Sequence, residues 1–250
     1  MKTYIYRLKQ HKTLHLALII TVAVLVLYFG QIWGEFIWDD EEQIVNNVII
    51  HSLSNIPRLF GGSTFNTGGA TSLTGVYYRP IMLASFSILY FVGRGGPQLF
   101  HIFQISLHIV CSLLLFSFLI NLKRSGEKYL SNIPDYGIAF FALVFGIHPL
   151  NAESVAYISA LQDVLYTFFG LFALWFATKS EHSINKRLIL GFLLLLFAIF
   201  SKETAIMYLI LFAIFGWLFE FGNRFKYLAT STAVASLYFF VRIFVISVSF

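Results

Sequence analysis

Charge is the first thing this sequence is short of. Only 12% of its 250 residues are Asp, Glu, Lys or Arg, where a water-facing surface wants roughly a quarter or more. That excludes a soluble enzyme. There is one cysteine, Cys111, set inside an apolar run, so neither an intrachain disulfide nor a cysteine metal cluster can be built, and a secreted disulfide domain is excluded too. The sequence has no internal repeat and no low-complexity tract, and His101 and His108 have neither the close spacing nor the third ligand of a metal site. What it has instead is apolar and aromatic mass: 58% hydrophobic residues, 29 Phe, 13 Tyr and 4 Trp, with a mean hydropathy of +0.77. This richness rules out a disordered chain and places the protein in a lipid bilayer. A net charge of +5 would suggest nucleic acid in a soluble protein. Here the basic residues fall between apolar segments, where they orient the chain, and nucleic acid is not an expected partner.

A spanning helix needs about 20 apolar residues, fewer with aromatic or snorkelling ends. The candidates are 14–33, 99–120, 136–150, 162–178, 188–201, 204–219 and 227–250. The first follows Lys2, Arg7, Lys9 and Lys12. After it, Gln31-Ile32-Trp33-Gly34-Glu35 offers no small-x-small cleavage site, so it reads as an uncleaved span and not a signal peptide. Lys123, Arg124 and Lys128, then Lys179, Lys186 and Arg187, then Arg224 and Lys226 mark the cytoplasmic loops. The alternate loops collect Glu35, Asp39, Asp40, Glu41, Glu42, Glu153, Asp163 and Glu203. This alternation closes only if IMLASFSILYFVG at 81–93 does not cross; it is expected to lie at the outer interface or to re-enter. The predicted fold is an all-α polytopic transmembrane bundle of about seven spans. Its N-terminus is cytoplasmic, and a long outer loop over 34–98 carries interfacial helices. The last stretch reaches Phe250 with no closing loop, as in a chain that stops partway through a larger protein.

Carboxylates beside a bilayer are costly unless paired or wet, which makes clusters of them functional candidates. Asp39-Asp40-Glu41-Glu42 follows the first span directly. Mutual repulsion should raise the proton affinity of at least one of the four, as suits a general base. The alternative is a helix start capped by Asp39 over 40–47. Tyr77-Tyr78-Arg79-Pro80 closes the loop, with Pro80 suited to a first helical position and Arg79 able to clamp a phosphate. Gly61-Gly62, Gly68-Gly69 and Gly75 make either a substrate lid or an ordinary loop. His101, Gln104, His108 and Ser112 share one face of the second span and must look into the bundle, where interhelical hydrogen bonds explain most such stripes. In the second outer loop, His148 and Glu153, then Asp163, could complete an anionic pocket or hold a divalent cation through oxygen ligands, with Glu153 and Tyr157 on one face if the segment is helical. Lys202-Glu203 reads as an ion pair at a helix end or, through Lys202, as positive charge for a phosphate.

Taken in order, Trp38-Asp39-Asp40, Tyr78-Arg79-Pro80, His101 and His108, His148-Pro149 with Glu153, Tyr157 and Asp163, and Ser201-Lys202-Glu203-Thr204 resemble the membrane half of the transmembrane and tetratricopeptide-repeat O-mannosyltransferases and their bacterial relatives. These belong to the C-type (GT-C) glycosyltransferase superfamily. The resemblance runs from about 35 to 205, and it is the ordered set that carries it. It implies transfer of a sugar such as mannose from a polyprenyl-phosphate carrier to a protein or glycan hydroxyl on the outer or lumenal face. It also implies catalytic carboxylates at Asp39 and Asp40, with Tyr78, Arg79, His101, His148, Glu153, Asp163 and Lys202 around the substrate. A bacterial inner membrane is expected ahead of the endoplasmic reticulum. Two other readings stay open: a transporter-like bundle, whose ionisable groups would sit near the midplane, and a non-catalytic membrane component.

Overall fold

The computed structural model describes residues 2–61, 64, 77–125 and 128–248, with side chains over 12–61, 64, 77–125 and 130–244. Of the glycines read as a lid, Gly62, Gly68, Gly69 and Gly75 lie outside the described residues. Eleven α-helices occur among the described residues, and no strand: α1 (Lys2–Tyr28), α2 (Ile56–Leu59), α3 (Pro80–Val92), α4 (Gln98–Arg124), α5 (Lys128–Ser131), α6 (Asp135–Ile147), α7 (Ala152–Ala156), α8 (Leu161–Ala177), α9 (Ile184–Ser201), α10 (Ile206–Phe219) and α11 (Arg224–Val248). Five helical stretches are long and apolar enough to cross a membrane: Lys12–Trp33, Gln98–Arg124, Ile158–Ala177, Ile184–Ser201 and Phe221–Phe244.

The expected count of about seven is therefore reduced to five by length, or six if the bent pair α6 and α7 counts as one span. That expected span, 136–150, breaks at His148-Pro149 and turns by 44°. Pro149 has no N–H to continue the ladder, and its ring drives His148 to extended backbone, φ −65° and ψ 133°. The expected span 204–219 is a shorter apolar helix, as is α3. Pro80 starts α3 as anticipated. One face of the helix is packed: Met82, Leu83, Phe86 and Leu89 are buried in a cluster with Phe100 of α4 and Leu161 and Leu165 of α8.

Packing divides the bundle into two groups joined through α4 and α8. Ile20 of α1, Phe116 and Ile120 of α4, and Ile138 and Ala142 of α6 form one core. Ala173 and Leu174 of α8, Leu195 and Ala198 of α9, Phe212 of α10 and Tyr227, Val234 and Tyr238 of α11 form the other. Close approach depends on small residues, as in other membrane helix pairs. A Cβ on Gly170 would lie 2.2 Å from Cγ of Tyr208, so α10 crosses α8 at a point only glycine permits. The chain thereby gathers Lys123, Arg124, Lys179, Lys186 and Arg187 at one end of the bundle, and Asp39, Asp40, Glu153, Asp163 and Glu203 at the other.

Candidate active site at the acidic end

The segment after α1 is held down by its own apolar underside. Ile44, Ile50 and Leu59 are fully buried in the cluster beneath α3, each contributing about 1.5–3 kcal/mol. Gly34 lets the chain leave α1 in contact with α4, because a Cβ there would stand 2.8 Å from Nε2 of His101. His101 is buried, its ring set against Gly34.

Trp38 then takes a left-handed backbone, φ 50°, a conformation that costs a non-glycine residue about 1–3 kcal/mol and gathers at functional sites. The turn points the next two residues apart. Asp39 is exposed. Asp40 is wholly buried: Oδ2 accepts from the Ile37 N–H at 3.1 Å, and Oδ1 accepts from both the N–H (2.7 Å) and the hydroxyl of Ser159. Burial pushes the Asp40 carboxyl above its usual range, with the charge of Asp39 adding to it, against three hydrogen bonds that pull the other way. Among the four clustered carboxylates, burial and not mutual repulsion is thus the main cause. A second tie runs from the Asp39 N–H to the Tyr157 hydroxyl at 3.0 Å, with the Tyr157 ring packed edge-on to Trp38. Burial pushes the Tyr157 phenol up to about 12. The two loops are therefore stitched together at Asp39-Asp40 and Tyr157-Ser159, and Asp163 lies four residues beyond Ser159, in the first turn of α8.

The expected pairing of Lys202 with Glu203 is replaced by a crossed arrangement. Lys202 Nζ donates to Asp163 at 2.6 Å, and Glu203 is clamped by Arg79, Nε at 3.1 Å and Nη2 at 3.2 Å. Neighbours in sequence cannot satisfy each other here. Extended backbone at Lys202, φ −159° and ψ 138°, ends α9 and sends the two side chains apart. Arg79 also lies 4.4 Å above the Tyr77 ring. Burial disfavours ionisation of Glu203, but hydrogen bonds and charge from Arg79 outweigh it and hold the carboxyl below its usual range.

The remaining candidates separate. Tyr78 is buried, donates its hydroxyl to the Phe60 carbonyl at 3.0 Å and packs on Phe200. His148 and Glu153 are exposed, and His148 Nδ1 accepts from the Leu150 N–H, capping the turn that follows. α7 stops at Ala156, so Tyr157, at φ −94° and ψ 120°, does not continue a helical face from Glu153. In the polar stripe of α4, Gln104 donates to the carbonyls of Ser154 and Tyr157, His108 bonds the Gly146 carbonyl and Ser112 bonds back to His108. The Gln104 and His108 bonds tie α4 to other segments, the ordinary use of such residues, while the Ser112 bond stays within α4. Asp163 lines a cavity of about 70 Å³ with Asn151, Ser154, Tyr166 and Thr167, room for about two waters. Among the described residues, no three His, Cys, Asp or Glu side chains are grouped to hold a metal ion. Sequence reading missed Ser159, the partner of Asp40, because a serine in a short turn carries no signal of its own.

A protein O-mannosyl-transferase of Caenorhabditis elegans is 28% identical over 195 residues, 77% of this chain and 26% of that protein. One of Homo sapiens is 27% identical over 177 residues, covering 68% and 24%, and one of Drosophila melanogaster is 27% identical over 189 residues, covering 74% and 21%. The chain thus spans about a quarter of the length of these relatives. No family model and no solved structure matches it. All three relatives are animal proteins, so a bacterial inner membrane gains no support. Over most of its length this multi-pass membrane chain is similar to proteins named protein O-mannosyl-transferases.

Proposed function

We propose that the acidic end faces the lumen and is the sugar-transfer site of a membrane glycosyltransferase, which moves a sugar such as mannose from a polyprenyl-phosphate carrier to a hydroxyl of a protein acceptor. The observation that carries this reading is the division of labour at Asp39 and Asp40. Asp40 is spent on Ser159 and Ile37, so it acts as a positioning residue, and the exposed Asp39 carboxylate is the base. Asp39 takes the proton of the acceptor hydroxyl as its oxygen attacks the anomeric carbon. The bond from that carbon to the phosphate oxygen breaks, its electron pair leaves with the polyprenyl phosphate, and the anomeric centre inverts. The leaving group is already an anion and needs fixed positive charge more than an acid. Lys202 suits that role, having given one of its three N–H donors to Asp163; Arg79 is committed through two nitrogens to Glu203. A carrier with a long apolar tail reaches such a site sideways from the bilayer.

Asp39→Asn in the full-length protein tests this, with transfer assayed from a radiolabelled dolichyl-phosphate sugar to an acceptor peptide. A general base contributes about 10²- to 10⁴-fold, so a loss of that size with unchanged folding is expected. Activity within a few-fold of the parent overturns the assignment.

A further inference from the structure

The basic end of the bundle holds a polar cavity that the transfer chemistry does not use. It measures about 220 Å³ and lies where α4, α8 and α10 end, with Ser125, Thr178, Ser180 and Glu220 in its wall and Arg187 beside them. Arg187 is 8% exposed. Its Nη1 donates to the Ala177 carbonyl at 2.9 Å and to Glu220, while Nε has no partner among the described residues. The Tyr227 hydroxyl, in electrostatic range of both Arg187 and Glu220, also lacks a partner. Glu220 meets only Nη1, and the Nε donor left over is costly to keep desolvated unless a second acceptor shares it. Lys179, Lys186, Arg224 and Lys226, in the segments that flank this end, outnumber Glu181 and Glu220 and leave the local field positive.

A second hollow, apolar and of about 340 Å³, shares Leu122, Phe215 and Phe219 with the first and continues along Leu171, Tyr208, Leu211 and Ile214. Leu211 and Ile214 are exposed there, on the bundle's outer surface. A polar cavity with a buried cation, joined through a common wall to an apolar groove, has the outline of a single amphiphile. We propose that this pair is a phospholipid site of the cytoplasmic leaflet, the phosphate seated against Arg187 and one acyl chain lying along the α8–α10 groove. Free phosphate would use the cavity and leave the groove idle. The groove between α1 and α4 is larger, about 370 Å³, but its charged wall residue, Arg124, is exposed to water. It lacks the desolvated cation and serves as the internal control. The proposal rests on the basic end being cytoplasmic and is independent of the transfer reaction.

The test places the full chain in phosphatidylcholine nanodiscs carrying a trace of phosphatidylglycerol with a photoreactive diazirine on its acyl chain, and maps the crosslinks by mass spectrometry. Crosslinks are expected on Leu211, Ile214 and Phe215 in excess over the α1–α4 groove. Arg187→Gln should cut them about five-fold, the scale of one basic residue acting on an anionic lipid. Ser180→Asp, which leaves the Arg187 pair untouched, should do the same by placing a negative charge at the mouth, and it decides the matter if Arg187→Gln fails to fold. Leu211→Trp, which fills the groove, should abolish the labelling. Even labelling around the bundle, or labelling indifferent to both charge variants, overturns the site. Displacement by millimolar glycerol phosphate makes it a free-phosphate site and overturns the lipid assignment.

Discussion

The two ends of the bundle use charge differently. At the basic end, the ion pairs have the shorter separations: Lys123 reaches Asp135 at 2.6 Å across 12 residues, and Arg187 reaches Glu220 across 33. At the acidic end, Lys202 meets Asp163 across 39 residues, Arg79 meets Glu203 across 124, and Asp40 meets Ser159 across 119. Local pairs close a helix hairpin; distant ones assemble a surface from separate segments. The contrast teaches that the acidic end is organised by the whole fold, and that a carboxylate placed there by long-range ties has a fixed position, as a reaction site needs.

The sharpest way to break that comparison is to cut the most distant buried tie. Asp40→Ala leaves the Ile37 N–H and the Ser159 N–H and hydroxyl without their acceptor. At about 1–3 kcal/mol per buried orphan, with partial relaxation, roughly 2–4 kcal/mol of stability should be lost. Amide exchange should quicken across 37–45 and at 159 while the basic end stays protected. Uniform exchange over both ends would show that Asp40 does not hold the loops. A smaller loss, about 1–3 kcal/mol, is expected for Arg79→Met, since side-chain exposures of 13% and 25% put the clamp between a buried and a surface pair. Its partner variant Glu203→Gln should lose less than Arg79→Met, because it leaves an uncharged group beside the arginine. Denaturant midpoints in detergent micelles measure both.

Acid separates the two acidic-end devices by sign. Asp40 is raised above the unfolded value of about 3.9. The folded chain therefore binds that proton more tightly, and the group's contribution is fully present below the unfolded value and lost as pH rises through the raised folded one. Glu203 is lowered from its unfolded value of about 4.3, so its contribution is present above that value and lost as pH falls through the folded one. Below about pH 4 the first tie gains while the second weakens. Asp40→Asn should flatten the gain toward low pH, and Glu203→Gln should flatten the loss, in stability profiles across pH 3–7. Two variants with the same pH dependence would contradict the assignment.

What the sequence let through follows from the same contrast. Long apolar runs, Pro80 as a helix start and the positions of basic loops depend on local composition, and α1, α4, α8, α9 and α11 appear where hydropathy puts them. Pro149 carried the signal of a broken helix, yet the apolar run around it outweighed that signal and read as a span. Asp39 and Asp40 are identical letters, and only the left-handed turn at Trp38 turns one out and the other in. Lys202 and Glu203 looked like a pair because they adjoin, whereas their partners lie on α8 and before α3, a choice made by tertiary packing.

The basic end supplies the smallest expected effect and the control for the rest. Lys123 and Asp135 have side-chain exposures of 22% and 37%, so water screens them and their link spans one short connection. Lys123→Met should change stability by less than about 1 kcal/mol and leave exchange at the acidic end unaltered. A loss as large as that of Arg79→Met would mean that sequence separation does not set the worth of these pairs. In that case both ends would have to be treated as equally organised by the fold, and the acidic end would owe its distinctness to the exposed Asp39 carboxylate alone.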